Sequence, residues 1–147
     1  MELEAGFIKL QNSLISKHFN MPLEIEKIKK IMNKDGLLTF YVPNADSFII
    51  NTLDSSATQW VWQPFHLSYF NRDSLGYLLN SQGFSEVYSD TVGMDIFDIA
   101  NFIKQGKNIK SVTLDSGRMW QAQIAIQSTI DSLGIGSILR YFCRLNA

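Results

Sequence analysis

The stretch KDGLLTFYVPN, residues 34–44, decides which fold this chain is expected to adopt. Gly36 can take the left-handed conformation that ends a helix at little steric cost. The six residues that follow it, LLTFYV at 37–42, form an unbroken run of apolar and β-prone side chains. Such a run is typical of a strand that is buried on both faces. The stretch therefore predicts a strand in the interior of a sheet, directly after a helix.

An amphipathic helix is predicted just before this strand. Pro22 suits a first helical turn, and Ile25, Ile28 and Ile31 recur every third residue among charged side chains. A helix followed by a fully apolar strand is typical of the αβ half of a parallel-sheet unit.

A second αβ unit is predicted further along the chain. Asn71 can cap a helix with a leucine stripe that Gly83 ends, and a strand follows at about 84–92. In the last strand, Leu139 and Cys143 share one face and Arg140 lies on the other. The remaining predicted elements are a short strand within 7–15, helical turns near 46–53 and 95–104, a helix at 118–133 and this last strand at 137–145.

Composition limits the function classes. The 147 residues fit a single domain, and 46% hydrophobic against 18% charged residues is typical of a globular protein. A net charge of -1 argues against nucleic acid as a partner, and two histidines with one cysteine argue against a metal site. The single cysteine, Cys143, cannot form an intrachain disulfide, so a reducing, cytoplasmic location is expected, and the sequence favours neither export nor membrane spanning.

Five motifs occur in a characteristic order: 15–22 (ISKHFNMP), 33–36 (NKDG), 42–44 (VPN), 64–70 (PFHLSYF) and 83–84 (GF). In this order the chain resembles the C-terminal half of class I S-adenosylmethionine-dependent methyltransferases, in the branch often found near sugar and surface-polymer genes. There the corresponding segments are a leucine-glutamate-histidine-x-x-x-proline loop, a glycine turn, a strand ending in Val-Pro-Asn, a proline-x-histidine-leucine loop and a helix ending in Gly-Phe. Lys17 and Asp35 depart from the family, which usually has glutamate and proline at those places.

The resemblance implies an α/β fold with a partial Rossmann-like methyltransferase sheet, mixed parallel with an antiparallel last strand and helices on its faces. In the family, the first three strands hold S-adenosylmethionine through a glycine-rich turn and an acidic residue. Nothing before Phe7 could encode them, so no cofactor-binding residue is assigned and the cofactor is implied by the family alone. The one G-x-G, Gly134 to Gly136, precedes a strand and is interpreted as a helix end.

The resemblance also implies candidate site residues. His66 and His18 are the candidate catalytic groups, because a neutral imidazole can take a proton from an acceptor hydroxyl. The alternative is that His18 is a surface or capping residue and that the loop around His66 only packs on the core. Candidate substrate-binding residues are Asn44, Trp62, Phe65, Tyr69 and Phe70. For Asn44 the alternative is a turn residue, and for the aromatic residues it is packing.

Two functions from different classes are compatible with the sequence. The first is a methyltransferase-like protein for a small-molecule or saccharide acceptor, incomplete or inactive alone. The second is a non-catalytic interaction or dimerisation protein built from the same half-fold. Its expected partner is a second copy or a chain that carries the N-terminal half, because an unpaired sheet edge tends to be covered by another chain.

Overall fold

The computed structural model describes residues 7–10, 21–53, 68–105 and 117–146. Within these ranges the chain forms a small α/β fold of four strands and five helices. In chain order they are β1 (Phe7–Leu10), α1 (Met21–Ile31), β2 (Leu37–Pro43), α2 (Phe48–Leu53), α3 (Arg72–Ser81), β3 (Phe84–Val92), α4 (Asp95–Gln105), α5 (Arg118–Ser132) and β4 (Ile138–Leu145).

The strand order in the sheet is β1-β2-β4-β3. The last strand, β4, lies between β2 and β3 and runs antiparallel to both. Its first residue, Ile138, is opposite Pro43 on one side and opposite Val92 on the other. The ends of β2 and β3 therefore lie at the same edge of the sheet, beside the start of β4.

The prediction of a partial Rossmann-like, mixed parallel sheet is wrong. The three long strands β2, β4 and β3 form an all-antiparallel sheet, and the four-residue β1 alone lies parallel to β2. The two predicted αβ units do not place their strands side by side, because β4 separates them. Alternation of side chains along a strand is the same in parallel and antiparallel sheets, so the sequence pattern did not distinguish them.

Most of the predicted elements are confirmed. Asn71 accepts a hydrogen bond from the Ser74 backbone NH at 2.9 Å, and the Ser74 hydroxyl accepts one from the Asn71 NH at 3.0 Å, which completes a capping box on α3. Gly134 follows α5 with a φ of 76°, so it ends that helix in the left-handed conformation as predicted.

The core lies between the sheet and the helices α1 and α3. Its buried side chains come mainly from β2, from the inner face of β4, from Phe84 and from two positions each of α1 and α3. Cys143 is fully buried in this core, and burial raises the pKa of its thiol to about 12. The core residues are Ile25, Ile28, Leu38, Phe40, Val42, Leu75, Leu79, Phe84, Leu139, Tyr141 and Cys143.

Candidate functional site

A polar cleft lies where the ends of β2 and β3 meet the C-terminal end of α5. Its volume is about 380 Å³. Carboxylates, hydroxyls, one guanidinium and one carboxamide supply most of its lining, together with two leucines. We call it the strand-end cleft, and its residues are Asn44, Asp46, Arg72, Tyr88, Ser89, Asp90, Thr91, Asp131, Ser132, Leu133, Gly134 and Leu139.

A hydrogen-bonded group around Glu86 fixes one side of the cleft. Arg72 Nη2 and Ser89 Oγ each donate to Glu86 Oε1 at 2.8 Å, and the buried Tyr141 hydroxyl donates to the same carboxylate. Burial raises the pKa of Glu86, but the hydrogen bonds from Ser89, Arg72 and Tyr141 and the Arg72 charge outweigh it, so the net pKa is lowered. Glu86 is therefore a constant acceptor that orients Arg72 and Ser89 at the cleft.

Gly76 allows this arrangement. A Cβ at Gly76 would lie 3.1 Å from the Tyr141 hydroxyl, so only glycine lets α3 approach that ring without displacing it. Burial, followed by the nearby Glu86 charge, raises the pKa of Tyr141. The hydroxyl consequently stays protonated and remains a hydrogen-bond donor.

A charged pair lies at the outer side of the cleft. Arg140 on β4 donates to both oxygens of Asp90 on β3, and the Tyr88 hydroxyl donates to Asp90 Oδ2 at 3.0 Å. Burial raises the pKa of Asp90, but the Arg140 and Tyr88 hydrogen bonds and the Arg140 charge outweigh it and lower the pKa overall. The Tyr88 ring also packs against Phe142 at a centroid distance of 5.8 Å. These contacts fix the positions of the Tyr88 ring and the Asp90 carboxylate at the cleft.

Asn44 lies at the base of the cleft, at the end of β2. Its side chain is buried, and its Nδ2 donates to the carbonyls of Gly134 at 3.2 Å and Gly136 at 2.9 Å. Its Oδ1 accepts from the Asp46 backbone NH at 3.1 Å. Asn44 therefore ties the loop after α5 to the end of β2, and this anchoring explains its burial.

A second polar network lies behind the cleft and joins α4, α5 and the start of β4. The fully buried Asp95 accepts from the Ser137 backbone NH and from Gln127 Nε2, both at 3.1 Å. Gln127 Nε2 also donates to Asp131 Oδ1 at 3.0 Å. Burial, and then the negative charges of Asp95 and Asp90, raise the pKa of Asp131. Asp95 therefore holds α4, α5 and the start of β4 together as a buried carboxylate.

The structure describes three of the sequence-predicted site residues. Asn44 lines the cleft, and Phe70 lies beside it in an isolated parallel bridge, with Ala45 NH donating to the Phe70 carbonyl at 2.9 Å. The Phe70 ring packs against the core, and the neighbouring Tyr69 is half-buried. The other four candidates, His18, Trp62, Phe65 and His66, lie outside the described residues.

Sequence reasoning did not find Arg72, Ser89 or Asp131 as cleft residues. Arg72 and Glu86 are 14 positions apart and meet only because α3 packs on β3. Asp90 and Arg140 are 50 positions apart and meet through the β3–β4 register. The antiparallel pairing of β3 and β4 places Asp90 opposite Arg140. Finding this pair from the sequence would have required the sheet topology.

The cleft offers both hydrogen-bond acceptors and hydrogen-bond donors to a polar molecule. Among the described ranges, no group of three or more His, Cys, Asp or Glu side chains could hold a metal ion. Within those same ranges, no helix has the length and apolar character needed to cross a membrane.

No protein-family model matches the sequence, and no curated protein matches it either.

Proposed function

We propose that this chain is a methyltransferase-like protein that binds a small-molecule or saccharide acceptor in the strand-end cleft and is inactive without a second component that supplies the methyl donor. The observation that carries the proposal is the cleft itself, with Asn44 of the Val-Pro-Asn motif at its base. The proposal includes a cytoplasmic location, because a chain with a single cysteine forms no intrachain disulfide and so suits a reducing compartment.

The lining suits a polyhydroxylated ligand. Arg72 has N–H groups beyond those that bind Glu86, while Ser89 Oγ, Asp46 and Asp90 offer acceptors. Neighbouring hydroxyls of a ligand could therefore both accept and donate hydrogen bonds in the cleft. The exposed Tyr88 ring offers an apolar face of the kind that sugar rings stack on. A few fixed polar groups around an apolar surface are typical of small-molecule sites.

The described residues do not fit S-adenosylmethionine, the donor that the family resemblance implies. The donor requires a strand followed by an open glycine turn and a helix. Gly93 stands in such a position between β3 and α4, but a Cβ there would overlap the Asp95 carboxylate and lie 2.5 Å from Ser137 Oγ. The chain's own side chains already fill that space. The proposal therefore assigns only the acceptor side to this chain.

The proposal is tested by mapping ligand binding with NMR. Amide spectra of the ¹⁵N-labelled chain are recorded during titration with a neutral disaccharide, an amino sugar and a hexuronate, and separately with S-adenosylmethionine. We expect at least one saccharide to shift the signals of Ser89, Thr91 and Gly134 in a saturable way. S-adenosylmethionine is expected to leave those signals unchanged.

Two variants locate the binding. Asp46→Asn removes an exposed cleft carboxylate while its backbone NH can still donate to Asn44, and we expect it to weaken saccharide binding severalfold. Asp73→Asn makes the same change at an exposed position of α3 outside the cleft lining and should bind like the wild type. Saturable binding of S-adenosylmethionine to the chain alone, or saccharide binding that ignores Asp46, would contradict the proposal.

A further inference from the structure

The strand-end cleft carries more negative than positive charge. Among the described residues, its lining contains the carboxylates of Asp46, Asp90 and Asp131 and one guanidinium, that of Arg72. The Arg72 guanidinium is already paired with Glu86 at 2.8 Å, so it does not neutralise a carboxylate of the lining. This imbalance bears on the charge of the ligand that the cleft can bind.

One of the three lining carboxylates has a cationic partner. Arg140 donates to both oxygens of Asp90. Within the described ranges, no ion pair includes Asp46 or Asp131. Asp46 is exposed, whereas Asp131 is half-buried, and burial reduces the screening of its charge by water. Asp131 is therefore the carboxylate that should attract a ligand cation most strongly.

Asp131 is held in place through both its backbone and its side chain. The Thr91 hydroxyl donates to the Asp131 carbonyl at 3.1 Å and accepts from the Gly136 NH at 3.0 Å. Gln127 Nε2 donates to Asp131 Oδ1 at 3.0 Å. Among the described residues, Asp131 Oδ2 has no hydrogen-bond partner. One oxygen of a positioned carboxylate is thus left for a ligand, and little freedom is lost when it binds a donor.

The C-terminal end of α5 adds to the negative potential of the cleft. Residues 132–134, at this end, are part of the lining. A helix C-terminus carries a partial negative charge, which lysine or arginine in the last turn often balances, but the last turn of α5 contains no basic residue. Burial first, and then the negative charges of Asp95 and Asp90, raise the pKa of Asp131. The surroundings of this carboxylate therefore favour a positive charge beside it.

We propose that the ligand of the strand-end cleft is an amino sugar, whose ammonium group binds the Asp131 carboxylate beside the C-terminal end of α5. This inference rests on the proposed saccharide binding and adds the charge of the ligand. An ammonium group has three N–H donors and no acceptor, so it can bind Asp131 Oδ2 while the hydroxyls of the sugar bind the rest of the lining. A hexuronate would instead bring a further carboxylate to the cleft and should bind more weakly.

NMR titration of the ¹⁵N-labelled full chain tests this inference. Glucosamine and galactosamine are each compared with the parent sugar, glucose or galactose, in which a hydroxyl replaces the amine. The titrations are made at about pH 6.5, where the amine is protonated, and at constant ionic strength, because salt screens charges. At least one amino sugar should bind roughly tenfold more tightly than its parent, as expected for a charge-assisted hydrogen bond. The amide signals of residues 132–134 should report the same affinity.

Two matched variants assign the preference to one carboxylate. Asp131→Asn removes the charge but keeps the shape of the side chain and an oxygen that can accept from Gln127. We expect it to reduce the preference for the amino sugar over its parent to less than about twofold. Asp73→Asn makes the same change at an exposed position of α3 outside the cleft lining and should retain the wild-type preference. Amide spectra recorded without sugar check that both variants are folded.

The outcomes separate this inference from the proposed function. Equal binding of amino and parent sugars by the wild type would overturn the amino-sugar assignment and leave saccharide binding standing. A preference that persists in Asp131→Asn, or tighter binding of glucuronate than of either amino sugar, would also overturn it. Butylamine has the charge without the hydroxyls, and its binding as tightly as the amino sugars would show that charge alone is recognised and overturn the assignment. If no sugar binds, both proposals fail.

Discussion

Replacing Asn44 by alanine tests whether the base of the cleft is held by the hydrogen bonds of this side chain. The substitution removes both donors to the carbonyls of Gly134 and Gly136 and the acceptor for the Asp46 NH. Gly136 is buried, so its carbonyl loses a partner that water cannot readily replace, at a cost of about 1 to 3 kcal/mol. Water can reach the other two groups, each of which contributes roughly 0.5 kcal/mol. The expected loss in the free energy of unfolding is therefore about 2 to 4 kcal/mol.

Urea unfolding followed by circular dichroism measures this loss. With a slope of about 2 kcal/mol/M, the midpoint of Asn44→Ala should fall by roughly 1 to 2 M. Asn80→Ala is the control, because Asn80 is exposed on α3. Its free energy of unfolding should change by less than about 0.5 kcal/mol. If Asn44→Ala unfolds at the wild-type midpoint but loses saccharide binding, Asn44 is a ligand residue and its anchoring role is refuted.

Three further substitutions have defined outcomes. The pKa of Asp90 is lower in the folded chain than its unfolded value of about 3.9, so the ionised carboxylate stabilises the fold above that pH. The wild type should therefore be more stable than Asp90→Asn by on the order of 1 kcal/mol at pH 7, and this advantage should disappear as the pH falls below about 4. An unchanged difference between the two urea midpoints at pH 3 would refute this. The pKa of Asp131 is raised in the folded chain, so ionisation of this carboxyl destabilises the fold as the pH rises. Asp131→Asn should therefore gain stability relative to the wild type between about pH 4 and pH 7. A difference in the free energy of unfolding that stays constant over this range would contradict this. Gly93→Ala should lower the melting temperature by about 2 to 8 °C, because its methyl group would overlap the Asp95 carboxylate and lie 2.9 Å from the Ser137 nitrogen; a wild-type melting temperature would show that the turn can open.

The elements were predictable because each depends on local chemistry. The capped start of α3 at Asn71, the glycine that ends α5 and the apolar run of β2 all lie within a few residues of the feature they determine. Exposure along the helices was less well predicted. Ile31 continues the apolar pattern of α1 but is 73% exposed, because it is in the last turn of that helix.

The sheet topology was not predictable in the same way. The apolar run of β2 suits a central strand of either kind of sheet, and only the pairing with β4, almost 100 residues later in the chain, makes it antiparallel. The polar networks depend on that pairing. The hydrogen-bond partners of the buried Asp95, for example, are Ile49, Gln127 and Ser137, which come from three distant segments.

Calorimetry on a single preparation of the chain tests the central claim most directly. The account predicts saturable heat when at least one of the saccharides is titrated, a weaker response from Asp46→Asn, and no binding heat from S-adenosylmethionine. Saturable binding of S-adenosylmethionine, or the absence of binding heat from every saccharide, would contradict it.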